Sequence, residues 1–260
     1  MTEPASHESA PTPGQPATVR AVDRALDILL CFSKADGGLT LSDIARQVNL
    51  HKSTVYRLLM SLQVKGFVRK ASDSDRYLLG WSVLELLSSL HQSDQLSALA
   101  LPEMTRLRDA IGETVSLYVR SALERVRIQS VESRQPVRNV GTIGRRYPLY
   151  IGASGKVLLA FADSSVRDAV SSSEVLPEDL DRSEFLAQLD AIRQDGYAVS
   201  IQERDVSAAA LSVPVFGRDQ HIAAALSVSG PVSRFTPERM RDSVELVRGA
   251  ASFITKLLSH

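Results

Sequence analysis

The sequence predicts an α+β protein of two parts, because two kinds of periodicity divide the chain. Residues 19–82 repeat apolar side chains at helical spacing and end in a short hairpin pattern. Residues 98–260 contain several runs in which apolar and polar residues alternate, as they do in strands. We call these two ranges the head and the body, and we expect a linker helix over residues 83–97 between them. With 260 residues, the chain is long enough for two such domains.

Charge is distributed unevenly between these parts. The formal net charge of the chain is zero, but the head holds ten Lys and Arg against six Asp and Glu. A basic head on an acidic remainder is typical of a protein in which one domain alone touches nucleic acid.

Composition also excludes several classes of protein. The single cysteine, Cys31, excludes an internal disulfide and a cysteine-based zinc site, and we interpret it as a thiol in the core of the head. No apolar run approaches the ~20 residues that span a bilayer, and the start has no signal-peptide core, so we expect a cytoplasmic protein. Residues 1–18 are rich in Pro, Ser, Ala and Thr and predict a disordered leader.

The centre of the head predicts two short helices separated by a tight turn. Thr40 is a good N-cap, and Asp43 three residues later completes a variant of the capping box. The apolar stripes are Ile44, Ala45 and Val48 in the first helix, and Val55, Leu58, Leu59 and Leu62 in the second. Residues 49–51 leave room for a tight turn alone, which is the spacing of a helix-turn-helix. An amphipathic helix over residues 19–32 supplies the third side of this small core.

A hairpin follows the second helix, which ends at Gly66. Residues 67–70 and 77–79 predict strands joined by a polar tip, so the head is a winged helix-turn-helix, whose second helix enters the DNA major groove. Six Lys and Arg and no Asp or Glu lie between residues 44 and 72, as expected of a surface that faces an anion. The alternative is a small helical domain that contacts other proteins.

The candidate DNA contacts come from the second helix and the wing. We expect four side chains of the helix to face the major groove and three cations to contact phosphates, with the helix-capping Thr40 beside them. The residues are Thr40, Lys52, Ser53, Thr54, Tyr56, Arg57, Arg69 and Arg76, of which Lys52, Arg69 and Arg76 are the phosphate contacts. Arg20 and Arg24, at the start of the first helix, fit either a phosphate contact or a pair of solvated helix-end charges.

The body predicts an antiparallel sheet with flanking helices. Strands are expected over residues 114–119, 126–131, 197–201, 208–216 and 222–229, and helices over residues 81–91, 96–111, 154–162, 183–195 and from residue 236 to the C-terminus. Residues 121–125 link the first two strands, and residues 132–150 predict an irregular segment rich in Gly, Pro and Arg. The helices at 81–91 and 96–111 carry surplus apolar surface, which indicates burial against a second subunit.

The chain as a whole resembles the IclR-type transcriptional regulators. The stretches that carry the resemblance occur in that family's order over residues 19–258: RAVDRALDILLCF, LTLSDIARQVNLHKSTVYRLLMSLQVKGFV, RYLLG, GETVSLYV, PLYIGASGKVLLA, and AALSVPVF followed by ALSVSGP. The resemblance implies a winged helix, a linker helix and a GAF-like effector-binding domain. It also implies a homodimer or a dimer of dimers that binds double-stranded promoter DNA, as repressor or activator, and responds to a small organic acid.

The resemblance also implies an effector pocket. Its residues are Ala153, Ser154 and Gly155 at the helix start in PLYIGASGKVLLA, Ser227 and Ser229 in ALSVSGP, and Ser200 and Ala210. The last two stand where relatives that bind very small oxo-acids have an Asp and a Cys. N–H groups at a helix start suit an anion, and two serines two residues apart on a strand point to one side. The loss of a charge and a thiol favours a larger acid, aromatic acids included, over a glyoxylate-like or pyruvate-like one. On the alternative interpretation, the loop only packs the helix against the sheet and the serines bond nearby backbone.

Other functions find less support in the sequence. GASGK matches neither the G-x-S-x-G elbow of a hydrolase nor a Walker A loop, since position 156 is Lys and position 157 is Val. The five histidines show no metal-ligand spacing, so we expect no catalytic residue, no metal and no cofactor. A co-regulator without DNA affinity is the remaining alternative to a DNA-binding regulator.

Overall fold

The computed structural model describes residues 18–259 with the exception of residues 36, 94, 174, 175 and 178. The chain divides into two compact units with the boundary between residues 93 and 94, inside the range predicted as a linker. The predicted leader lies outside the described residues apart from Thr18. Among the described residues, no helix combines the length and the apolar character needed to cross a membrane.

The first unit has the predicted winged helix-turn-helix and adds one strand to it. Its elements are α1 (Arg20–Cys31), one turn of 3-10 helix (Phe32–Lys34), β1 (Leu39–Thr40), α2 (Leu41–Gln47), α3 (Lys52–Val64), β2 (Val68–Lys70), β3 (Arg76–Leu79) and α4 (Trp81–Ser93). The strands pair antiparallel in the order β1-β3-β2. β1 is absent from the prediction because two residues are too few to show the alternation of a strand.

Local signals and core packing agree in this unit. The Asp43 N–H donates to the Thr40 hydroxyl (3.2 Å) and the Thr40 N–H donates to the Asp43 carboxylate (3.3 Å), which is the predicted capping box. Asn49 adopts a left-handed conformation (φ 50°), which closes the tight turn between α2 and α3. Ile44 and Val55 are fully buried in one cluster, so the two predicted apolar stripes meet in a single core.

The second unit is a six-stranded antiparallel sheet with helices on both faces, as the predicted fold class requires. Its elements are α5 (Gln95–Ile111), β4 (Thr114–Ser121), β5 (Glu124–Val131), β6 (Arg146–Pro148), α6 (Ala153–Ala160), α7 (Ser164–Ser171), α8 (Arg182–Asp195), β7 (Ala198–Ile201), β8 (Ala208–Phe216), β9 (Ile222–Pro231) and α9 (Pro237–Ser259). The sheet order is β6-β5-β4-β9-β8-β7. α5 and α9 pack around Leu117 and Leu226 on one face, and α6 and α8 pack around Tyr118 and Ala225 on the other.

Three details differ from the expectations. Residues 132–150 are not irregular throughout, because β6 pairs with β5; a three-residue strand gives too short a pattern to be recognised. α7 is absent from the prediction, since eight residues with only three apolar positions give too short a pattern to be recognised. The link between β4 and β5 is shorter than residues 121–125: Ala122 and Leu123 alone form the turn, with Ala122 left-handed (φ 53°).

A buried ion pair joins the start of β4 to the segment before α9. The Glu113 carboxylate is fully buried and accepts hydrogen bonds from Nε (2.5 Å) and Nη2 (2.9 Å) of Arg234. Nη2 also donates to the Val137 carbonyl (2.9 Å), so the same guanidinium holds the segment after β5. Gly230 of β9 lies against the carboxylate, and a Cβ there would lie 2.5 Å from Oε2. The ion pair therefore connects β4, β9 and the segment around Val137.

We expect Glu113→Ala to lower the free energy of unfolding by about 3 kcal/mol, because it leaves the Arg234 guanidinium without its buried carboxylate. The matched control is Glu245→Ala, which removes an exposed partner of Arg248 (2.7 Å) and should cost less than about 1 kcal/mol. Urea denaturation of the two full-length variants beside wild type measures both values. Equal losses for the two variants would contradict a clamping role for Glu113.

Candidate functional site

The first two turns of α3 present polar side chains to solvent while the opposite side closes the core. Among the predicted DNA contacts of this helix, the exposed residues are Lys52, Ser53, Tyr56 and Arg57, and Thr54 is half-buried. Val55 and Leu59, which alternate with them at helical spacing, are fully buried. Amphipathic spacing therefore fixes which side of α3 is available to a partner.

Two of the predicted DNA contacts form side-chain hydrogen bonds within the protein, and a third lies over an aromatic ring. The Thr40 hydroxyl donates into the capping box (2.7 Å), and Nη1 of Arg76 donates to the Gly38 carbonyl (2.8 Å) at the base of the wing. The Arg69 guanidinium lies over the Trp81 ring, 5.9 Å from its centre. The exposed groups of α3 are thus better placed for an external partner than Thr40 or Arg76.

A cavity opens in the second unit on the side of the sheet that faces α6. Six of the seven residues predicted for the effector pocket line it: Ala153, Ser154, Ser200, Ala210, Ser227 and Ser229. The seventh, Gly155, does not line the cavity. Its Cα packs so closely that a Cβ would collide with the Leu149 carbonyl oxygen and the Arg125 guanidinium.

Strand register explains why residues far apart in the sequence meet at this cavity. Ser229 pairs with Ala210 of β8, which pairs in turn with Ser200 of β7, so the three form a row across the sheet. Ser227 lies on the same face of β9, two residues earlier. Its hydroxyl donates to a backbone carbonyl of β8 (3.3 Å), whereas the Ser229 hydroxyl accepts from the side-chain amide of Asn139 (3.2 Å).

The start of α6 already holds a carboxylate from within the protein. The Gly152 N–H donates to Oε2 of Glu203 (2.9 Å), and Nζ of the buried Lys156 donates to Oε1 (2.6 Å). Glu203 comes from the loop after β7, so no local pattern connects it with the helix start. A carboxylate of the protein itself therefore lies beside the helix start that the sequence suggests as an anion site, bonded to the N–H of the residue before it.

Two arginines of β5 are buried on the cavity side of the sheet. Arg125 is 2% exposed, and its Nη1 donates to the carbonyls of Ile151 (2.7 Å) and Pro148. Arg127 is 1% exposed and donates from Nε (3.0 Å) and Nη2 (2.5 Å) to the Tyr118 hydroxyl. Burial lowers the pKa of Arg125 to about 10, so this guanidinium stays charged at neutral pH.

The cavity wall includes six polar or charged residues that the sequence analysis missed: Tyr118, Arg125, Asn139, Glu203, Arg204 and Asp205. Of these six residues, only Arg125 could have been identified from a sequence pattern. Arg125 and Arg127 are cations two residues apart, so in a strand they point to the same face. The predicted strand begins one residue too late to include Arg125. In the part of the chain that the structure describes, no cluster of three or more His, Cys, Asp or Glu could hold a metal ion.

Comparison with known proteins connects both units with one family. A sequence model of the IclR helix-turn-helix domain matches residues 21–72, and a model described as bacterial transcriptional regulator IclR C-terminal matches residues 88–256. The HTH-type transcriptional regulator KipR of Bacillus subtilis is 31% identical over 227 residues, which cover 85% of this chain and 90% of KipR. The HTH-type transcriptional repressor AllR of Escherichia coli is 32% identical over 257 residues, which cover 95% of this chain and 94% of AllR.

A solved structure of the same fold contains a small molecule. It is an IclR homolog of Microbacterium hydrocarbonoxydans in complex with 4-hydroxybenzoate, with a TM-score of 0.79 and 26% identity, covering 92% of this chain and 98% of that chain. KipR and AllR are named as transcriptional regulators, not as enzymes. The chain therefore belongs to the IclR family of DNA-binding transcriptional regulators.

Proposed function

We propose that a small organic acid binds in the cavity of the second unit and changes the affinity of this IclR-family regulator for its operator. The observation that supports this most directly is that six predicted pocket residues, from α6, β7, β8 and β9, surround one cavity. A ligand shifts an equilibrium only through different affinities for the two states. The acid must therefore bind the DNA-competent and DNA-incompetent forms unequally.

The lining favours an acid with an apolar body. Ala153, Ala208 and Ala210 contribute methyl groups, and Tyr118 borders the same space. An IclR homolog with 26% identity to this chain has the aromatic acid 4-hydroxybenzoate bound. Aromatic monocarboxylates are therefore the first class of effector to test.

We propose α3 as the helix that enters the major groove of double-stranded promoter DNA. The side chains assigned to base edges are Ser53, Thr54, Tyr56 and Arg57, and those assigned to phosphates are Lys52 and Arg69. Nη1 of Arg76 donates a hydrogen bond to the Gly38 carbonyl and so positions the wing. We assign the Nη2 group of the same guanidinium to a phosphate. Because its partner is promoter DNA, we place the protein in the cytoplasm.

The exposed apolar residues of α4 support self-association. Trp81, Leu84, Leu86 and Leu87 are all exposed in the single chain. Such a surface marks an interaction site in a water-soluble protein. We propose that two copies pair through it, with a dimer of dimers as the larger assembly, and that the operator is a pseudo-palindrome whose half-sites lie one helical turn or a multiple apart.

We expect Arg57→Ala and Lys52→Ala to weaken DNA binding in different ways. Arg57→Ala should cost about 1–3 kcal/mol on the operator and much less on unrelated DNA, because a base contact is lost. Lys52→Ala should weaken both and lower the slope of log K against log salt by about one, because a phosphate contact is lost. Fluorescence anisotropy over a salt series measures both effects.

Lys65→Ala, at the far end of α3, is the control for the loss of a positive charge alone. Wild-type operator affinity in Arg57→Ala would contradict the assignment.

A Ser227→Ala, Ser229→Ala double variant should bind the effector about tenfold more weakly or worse, because two hydrogen bonds of about 0.5–1.5 kcal/mol each are lost. Its operator affinity without effector should not change. Calorimetric titration with an acid found by a thermal-shift screen gives the comparison. Ser212→Ala is the control, since Ser212 pairs with Ser227 and is buried but does not line the cavity. Unchanged effector affinity in the double variant would remove the serines from the site.

Light scattering should show wild type as a dimer or tetramer at micromolar concentration. A Leu84→Glu, Leu87→Glu variant should form smaller species and bind the operator more weakly, because charges at an apolar contact oppose its burial. Circular dichroism of the variant checks that the fold is intact. A monomeric wild type that binds its operator tightly would contradict pairing through α4.

A further inference from the structure

We infer that the anionic group of the effector binds the guanidinium of Arg125 and not the N–H groups at the start of α6. This inference rests on the proposed function, because it takes the cavity as the effector site. It adds which group of the ligand is recognised and which side chain recognises it. Arg125 reaches the cavity from β5, a strand that contributes none of the seven predicted pocket residues.

Arg125 is a buried cation without a carboxylate partner among the described residues. Its Nη1 bonds to two carbonyls, but Nε is buried with no hydrogen-bond partner. The guanidinium also lies against the rings of Tyr118 and Tyr147, at 5.7 and 5.2 Å from their centres. Carbonyl dipoles and ring faces compensate a buried charge less well than an anion does. Buried cations are usually paired with an anion, and Arg125 lacks such a partner among the described residues.

A second cation adds to this local positive charge. Arg204 also lines the cavity and lies over the Tyr147 ring, 4.4 Å from its centre, beside Arg125. An opposite charge placed between such groups stabilises the charged form of each. The carboxylate of a ligand would supply that charge.

The two carboxylates that line the cavity are already engaged elsewhere. Glu203 accepts from the start of α6 and from Lys156. Asp205 accepts from the N–H (2.9 Å) and the hydroxyl (2.7 Å) of Ser207. Neither forms a salt bridge with Arg125 in the part of the chain that the structure describes. An incoming anion thus meets a helix start beside which a carboxylate already lies, and a guanidinium that no carboxylate of the described residues neutralises.

The lining also gives the ligand a direction. Arg125 approaches from β5 and Ser229 from β9, with β4 between them in the sheet. A carboxylate on Arg125 leaves the apolar body of the ligand beside the Tyr118 ring of β4. A polar group at the far end of the ligand is then best placed for the hydrogen-bonded pair of Ser229 and Asn139. The ligand class is therefore a monocarboxylic acid with a polar group opposite the carboxylate.

Calorimetric titration of the full-length protein with 4-hydroxybenzoate and its neutral analogue 4-hydroxybenzamide tests this assignment. Wild type should bind the acid at least about tenfold more tightly than the amide, because hydrogen bonds to a charged group are the stronger ones. Arg125→Met should reduce acid binding to the level of the amide and leave amide binding unchanged. Arg127→Met is the matched control, because Arg127 lies on the same strand and is equally buried but does not line the cavity. It should keep the preference for the acid.

A second variant, Arg125→Lys, is included in case Arg125→Met does not fold. Lysine keeps the positive charge but lacks the planar fork of hydrogen-bond donors. It should bind the acid with an affinity between those of wild type and Arg125→Met. Preference for the acid that persists in Arg125→Met would overturn the inference, as would equal affinity of wild type for acid and amide. If wild type binds neither probe at millimolar concentration, and neither benzoate nor phenylacetate, the inference also fails.

A gel-shift titration with the operator separates this inference from the proposed function. If the acid binds through Arg125 but leaves operator affinity unchanged, the anion site stands and the effector role fails. If the acid alters operator affinity equally in wild type and Arg125→Met, the effector role stands and the anion site fails.

Discussion

The pairing of β4 with β9 is the constraint on which the cavity depends. It joins two three-stranded halves of the sheet, β6-β5-β4 and β9-β8-β7. Its register sets Thr114 opposite Ser229 and Ser116 opposite Ser227, which turns both serines of β9 towards α6. A slip of one residue would turn them into the apolar core on the other face. The Glu113–Arg234 ion pair lies at the end of this pairing and holds it where the serines are.

The cavity itself follows from a difference in side-chain volume between the two faces of β9. The face towards α5 and α9 carries Leu226 and Val228, which are fully buried in a close-packed core. The face towards α6 carries Ala225, Ser227 and Ser229, whose small side chains leave space between sheet and helix. The same residues that keep this face polar therefore also keep it open.

The sequence predicted what local chemistry determines. The capping box at Thr40, the stripes of α2 and α3, and the alternation that turns Ser227 and Ser229 to one side all depend on residues close together in the chain. The rest of the site depends on contacts between distant segments. Glu203 meets the start of α6 across 51 positions, and Asn139 meets Ser229 across 90. No periodicity encodes such pairs, so the sequence identified one wall of the cavity and missed the charged groups of the other.

A buried guanidinium without a counter-ion lowers the stability of the protein alone and favours the complex with an anion. If an acid binds Arg125 as inferred, it supplies the anionic partner that the described residues do not provide. A neutral analogue of the same shape would supply none, so such a site would select acids by charge as well as by fit. Binding would also connect β5, through Arg125, with β9 and the segment that carries Asn139. An effector held in this way would order three separate segments of the second unit at once, which is the kind of difference between bound and free states that regulation of DNA binding requires.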